Sequence, residues 1–392
     1  LTESINSATI LLIILFSLAN GGARAIGGWF FGKKGDQKGR LFSFPLTLLI
    51  ATLPSWSIAI LSFVLPFDYW ETYSIVIFLF FKFFQGIPAG GEIPGAICYL
   101  SESYAYNLKS DKIDKFMCSY ALVGPQIGII LSTFVCLILK EIFPIEYLND
   151  YAWRYIFTFS GMLGIVGYLM RRKLHETAAY LNLKAHHLNT ASPIKELFTK
   201  NKSKLSLVFF LSIFEVVAVT IITFLPFIFT NSPFFFKDTS IIFFTFYNSF
   251  LFILLLPIIG FLSSKTDSFP WFSLSIWGTI LFSILLYFSV INGYCLACLI
   301  INSILVFLIS IQSALLPSVL SEIFPTRIRY SGIAFSFNIC DGIFWSAFVG
   351  ICSLFTNANN PFFILILAIT ALSFPITRHF IKKNKKIYSL LK

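Results

Sequence analysis

Long apolar stretches alternate with short polar ones from one end of the chain to the other. Crossing about 30 Å of hydrocarbon takes about 20 apolar helical residues. Eleven stretches reach or approach that length: 7–31, 41–65, 73–100, 116–139, 153–170, 205–230, 239–263, 271–291, 295–322, 331–355 and 360–379. A lipid-facing backbone must satisfy its own hydrogen bonds, which a helix does within one segment. The pattern therefore predicts an all-α integral membrane protein with eleven visible transmembrane helices. The longest polar connection divides five spans from six, giving an amino-terminal bundle (1–172), a cytoplasmic central loop (173–204) and a carboxy-terminal bundle (205–392).

Composition sharpens this picture. Of 392 residues, 57% are hydrophobic and 12% charged, and the mean hydropathy is +0.82. That excludes a soluble enzyme and a disordered chain. The net charge of +11 would suggest nucleic acid in a soluble protein, but here the Lys and Arg residues are sorted by connection. Alternate connections from Lys33–Arg40 to Arg378–Lys392 hold 24 of them, and the other set holds three, Lys140, Arg154 and Lys237. Positive charge stays inside, so the C-terminus is expected in the cytoplasm, with anionic lipid as the partner of the basic face and no nucleic acid. Seven cysteines lie mostly in apolar stretches, and the Cys295-x-x-Cys298 pair has no second pair or His beside it. No disulfide framework, metal site or cofactor is expected. His175, His186, His187 and His379 all fall in or beside cytoplasmic connections, and no Gly-rich phosphate cradle is present. A membrane His relay is excluded, and ATP-driven pumping is disfavoured.

Two short segments echo one another: Leu100-Ser101-Glu102 ends the third span, and Leu320-Ser321-Glu322 ends the ninth. Such repeats mark carriers built from related halves. Eleven spans with an inner C-terminus would leave Leu1 outside, and a preceding span would restore two six-helix halves. The most specific run is the loop Gly32-Lys33-Lys34-Gly35-Asp36-Gln37-Lys38-Gly39-Arg40. Its glycines suit a tight reversal, and Asp36 sits where a helix N-terminus and Arg40 can both stabilise it.

This loop resembles the G-x3-D-x2-G-R signature of the major facilitator superfamily, matched by Gly32, Asp36, Gly39 and Arg40. The preceding Arg24-Ala25-Ile26-Gly27-Gly28-Trp29-Phe30-Phe31-Gly32 is similar to the R-P-x-G-G-x-x-F-G run of the metabolite:proton symporter branch, which includes proline/betaine, shikimate, citrate and 2-oxoglutarate carriers. Further matches are Gln85-Gly86 with Gly90-Gly91-Glu92, Trp153-Arg154, Leu174 to Thr177, and Phe324-Pro325-Thr326-Arg327-Ile328-Arg329 with Phe337-Asn338. The resemblance implies a two-bundle fold of twelve helices, with the family's first helix missing here. It implies proton-coupled transport of a small polar metabolite, of the kind of proline or betaine and so an osmolyte, by alternating access in a bacterial inner membrane. An exporter or exchanger of the same superfamily, suggested by Gly124-Pro125-Gln126-Ile127-Gly128, and a truncated carrier without transport activity are the alternatives.

Five charges lie inside spans: Arg24, Lys82, Glu92, Glu215 and Asp341. Each would cost about 2.5–3.5 kcal/mol facing lipid at a helix centre, so they are expected to face protein or water. Lys82, Gln85 and Glu92 fall on one helix face, where they are candidates to meet a zwitterion or couple to protons; a snorkelling Lys82 and a Glu92 that only ties helices are the structural alternatives. Asp341, three residues after Asn338, is either a protonatable coupling site or the ion-pair partner of Arg24 across the halves. Glu215 is a weaker coupling candidate. Glu102 with Lys33 or Arg40, and Glu322 with Arg327 or Arg329, are expected to form cytoplasmic latches that break when the cavity turns inward.

Overall fold

A computed structural model describes residues 7–65, 67–107, 115–144, 147–231 and 240–345. The outer part of the 331–355 span, the 360–379 span, Lys237 and the basic C-terminal stretch lie outside these, as does most of the connection from Lys109 to Lys115. All regular elements among the described residues are helical: α1 (Ser7–Lys38), α2 (Arg40–Val64), α3 (Phe67–Asn107), α4 (Lys115–Ser119), α5 (Val123–Ile142), α6 (Trp153–Arg171), α7 (Ala178–Ala185), α8 (Pro193–Lys200), α9 (Lys202–Asn231), α10 (Ser240–Ser263), α11 (Ser268–Ile291), α12 (Cys295–Ile323) and α13 (Arg329–Ile339), which continues into a π turn (Cys340–Phe344). Among the described residues, six segments are long and apolar enough to cross a membrane: Arg40–Val64, Tyr73–Ser103, Lys115–Ile142, Phe243–Ser263, Ser268–Ile291 and Cys295–Ile323. Leu, Ile, Phe and Trp side chains point outward along them, among them Leu53, Phe80, Phe134, Trp277 and Leu296. The protein is a multi-pass membrane protein.

Small residues let the helices approach. α1 packs along α3 through Gly27 on Ile87, Gly86 on Asn20 and Ala23, and Gly90 on Arg24 and Gly28. In the carboxy-terminal half, α11 presents Ser275, Thr279 and Ser283 toward α12, and Ser275 Oγ donates to the Leu308 carbonyl at 2.6 Å. Asn302 on α12 donates to Asn248 Oδ1 on α10 at 2.8 Å. Hydroxyls and amides are bonded across helices where lipid offers no partner.

One expectation needs correction. Residues 32–38 are not a loop: α1 stays helical to Lys38, and only Gly39, at φ 111°, leaves the helical region before α2 begins. The run stays helical because Gly32 and Gly35 are packed against Ser331 and Tyr330 of α13, where any side chain would collide. The central connection carries two short helices, α7 and α8. Thr177 caps α7 by accepting from the Tyr180 N–H, and Pro193 opens α8 at a position that needs no hydrogen-bond donor.

Candidate functional site: the inner gate and the charged interior

Arg40, at the start of α2, is fully buried and shares its guanidinium among four acceptors. Nε and Nη2 form a fork on Glu102 of α3, at 3.0 and 2.9 Å. Nη1 donates to Asp36 Oδ1 at 2.8 Å and to the Gly35 carbonyl at 2.9 Å. Nη2 also reaches the Thr326 carbonyl, ahead of α13, at 2.7 Å. The planar fork of arginine is what makes this division possible.

Asp36 accepts at 3.2 and 2.8 Å from the backbone N–H groups of Tyr330 and Ser331 in the first turn of α13. The helix N-terminus that stabilises this carboxylate belongs to the other half of the molecule. Asp36 lies on the cytoplasmic extension of α1, beyond the apolar span. Burial pushes its pKa up to about 6, while Arg40 and Ser331 pull the other way. Glu102 is held by a second cation, Arg329 of α13, at 3.1 Å, and by the Thr177 hydroxyl at 2.8 Å. Glu176 accepts from the Arg40 and Leu41 N–H groups, both at 3.1 Å, and so caps α2. The Tyr330 hydroxyl crosses back to the Gly91 carbonyl of α3 at 2.7 Å. Together these bonds tie α1, α2 and α3 to the start of α13 at one end of the bundle.

The other latch differs from expectation. Arg327 pairs with Glu196 of α8 at 2.7 Å, and Arg329 pairs with Glu102, rather than either meeting Glu322. The reason is topological: the central connection carries α8 under the start of α13 and brings an acid to Arg327 that is remote in sequence. Glu176 and Thr177 fall in the Leu174-to-Thr177 match, whereas Glu196 and Tyr330, which complete this cluster, and Arg171, which pairs with Glu92, were not among the sequence candidates. A Thr at a helix start and a Pro at a first helical position were the available signals for part of this arrangement.

Farther into the membrane, Arg24 of α1 forms an ion pair with Asp341 of the π turn. Asn338, one turn earlier, donates to the Gly90 carbonyl of α3 at 2.5 Å. Lys82 and Glu92 do not meet. Lys82 Nζ donates to Gln85 Oε1 at 3.1 Å, whereas Glu92 pairs with Arg171 at the end of α6 at 2.8 Å. Ten helical residues separate Lys82 from Glu92, about 15 Å of rise. Arg24, Glu92 and Arg171 instead share a cavity of about 650 Å³ with Phe44, Tyr99 and Tyr120. Its lining comes from the amino-terminal helices, including Gly124 and Pro125 at the start of α5. Glu215 of α9 is buried and accepts from the Ser313 hydroxyl at 3.1 Å.

Helices of the two halves tied at one end by the Arg40 cluster, with ionised groups gathered inside the bundle, make an all-helical membrane fold of the major facilitator type. Residues 2–208 match the model of the sugar (and other) transporter family, and the chain belongs to that family. It is 26% identical over 334 residues to the proline/betaine transporter of Salmonella typhimurium, a match covering 81% of this chain and 63% of that one. The chain thus spans a little under two thirds of that relative's length. It is 24% identical over 368 residues to the alpha-ketoglutarate permease of Escherichia coli, covering 92% and 82% of the two chains. The solved proton:xylose symporter XylE bound to 6-bromo-6-deoxy-D-glucose superposes with a TM-score of 0.68 at 15% identity, covering 98% of each chain. A double-tryptophan XylE mutant gives 0.71 at 16% identity, covering 100% of this chain and 90% of that one.

Proposed function

We propose that the protein is a proton-coupled carrier of a small zwitterion of the proline/betaine kind, working by alternating access in a bacterial inner membrane with its C-terminus inside. The observation that carries this reading is the buried Arg40 cluster. It joins α1, α2 and α3 to the start of α13 through bonds that all run to the cytoplasmic end, which is how a carrier closed inward and open outward is held. Opening inward requires these bonds to part together, so the gate has two discrete states. Both signs of charge line the cavity, as a zwitterion requires, and the named proline/betaine relatives support that substrate class. The two cavity arginines, with the permease likeness, favour a dicarboxylate as the second reading.

The test is uptake of labelled proline, betaine and 2-oxoglutarate by a transport-deficient bacterial host expressing the chain. Accumulation of proline or betaine, abolished by a proton uncoupler, is expected. Accumulation of 2-oxoglutarate alone would select the second reading, and uptake indifferent to the uncoupler would overturn proton coupling.

A further inference from the structure

Two carboxylates deep in the membrane interior play no part in the inner gate or the cavity. Glu215 is 5% exposed, and its one hydrogen bond comes from Ser313 of the adjoining α12. Among the described residues it has no ion-pair partner. Its electrostatic neighbour is Asp341, already paired with Arg24.

Among the described residues, the elements packed on α9 supply no other cation at this depth. α10 carries no charged residue, α12 presents Gln312 and Ser313 here, the one cation of α13 is Arg329 at its start, paired with Glu102, and the π turn brings Asp341 and Cys340, whose thiol is bonded to the Phe209 carbonyl at 3.2 Å; Lys202 and Lys204 of α9 itself lie at its first turn. The Lys and Glu side chains of α8 lie at the cytoplasmic end of the helix. Two neighbouring carboxylates, Glu215 and Asp341, therefore have one guanidinium between them, that of Arg24 in contact with Asp341. Arg24 has one further donor in hand, because its Nε is buried without an acceptor. A second unpaired carboxylate in low dielectric is too costly to keep ionised, and the balance is met by one proton.

We propose that Glu215 is the residue that carries the coupled proton, with Asp341 and Arg24 as its switching counter-ions. This rests on the proton-coupled reading above. A proton from outside water binds a Glu215 carboxylate oxygen, leaving Asp341 alone on Arg24, so the pair joins α1 to the end of α13. When the carrier faces inward the same proton passes to cytoplasmic water. The trio then carries one net negative charge, and Glu215 competes with Asp341 for Arg24. The proton state of α9 is thereby read by the one ion pair that spans the halves at mid-membrane depth. Glu92 is poorly suited to this task because Arg171 already balances it.

Two measurements on the full chain test this. In lipid at neutral pH, infrared spectra should show the carbonyl band of a protonated buried carboxylic acid, which Glu215→Gln removes and Glu92→Gln keeps. In vesicles, Glu215→Gln should cut proton-driven accumulation by about tenfold, equivalent to about 1.4 kcal/mol, while exchange of labelled for unlabelled substrate stays within about twofold of wild type. A wild-type protein without the band, a band that survives in Glu215→Gln, or undiminished proton-driven uptake by that variant overturns the assignment. If the wild type moves none of the three substrates, the transport reading fails instead, and the infrared result still decides where the proton resides.

Discussion

Arg40 shows how one side chain can hold a gate. Its five side-chain bonds go to α1, α3 and the turn ahead of α13, and a lysine has neither the reach nor the planar geometry to replace them. Arg40→Lys preserves the charge yet leaves Glu102 and Asp36 with fewer donors in a buried site. Hydrogen bonds to charged groups are worth about 1.5–3 kcal/mol each, so a loss of about 2–4 kcal/mol is expected. The check is the melting midpoint of the purified protein, which should fall, and a labelling reagent applied from the cytoplasmic side, which should react faster. An unchanged midpoint would mean that the cluster contributes little. At this scale the sequence was informative in part. Asp36, Arg40 and Glu102 were visible as a charged run and an echo, and Arg24 and Asp341 were already weighed as partners. Glu176 was visible only as part of the Leu174-to-Thr177 match and Glu196 not at all, because their contacts depend on where a polar connection folds back.

At the scale of elements, α1 and α13 are joined by surfaces too close for side chains. A Cβ on Gly28 would stand 2.6 Å from the Ala334 carbonyl oxygen and 2.7 Å from Asn338 Nδ2. Gly28→Val must therefore spread the two helices or displace Asn338 from the Gly90 carbonyl. Overpacking of this kind costs about 1–3 kcal/mol. The variant is expected to insert in the membrane but to melt earlier, and to populate the inward-open form, read by solvent labelling at Ser331. Melting and labelling equal to wild type would show that the interface is looser than the contacts indicate. The helices themselves were legible from hydropathy. Continuation of α1 through Gly32-Lys33-Lys34-Gly35 was not, since glycines and charges read locally as a turn. Contacts with α13 override that local preference.

For the molecule as a whole, the cytoplasmic end is clamped at separated points: the Arg40 cluster, the Arg327–Glu196 pair, and Lys115, whose ammonium donates to the carbonyls of Ser263 at 3.0 Å and Thr266 at 2.6 Å. On the proposed reading, all of them part in one step of the transport cycle. Replacing Glu196 and Arg327 by cysteine, in a background lacking the seven native cysteines, should allow a disulfide that locks the inner face shut. Uptake is expected to fall by about tenfold, the equivalent of about 1.4 kcal/mol, and to recover on reduction. Persistent uptake in the cross-linked protein would show that α8 does not have to separate from the start of α13.

Hydropathy and charge placement alone determined that the chain is helical, crosses a membrane repeatedly and keeps its basic connections on one side, because the cost of exposing backbone or charge to lipid is set residue by residue. Which charges meet was decided only by the folded molecule. Arg24 with Asp341, Glu92 with Arg171, Arg327 with Glu196, and Asp36 at the first turn of a helix nearly 300 residues away are pairings between distant segments. Their energies depend on distance and burial, and those exist only once the helices have packed.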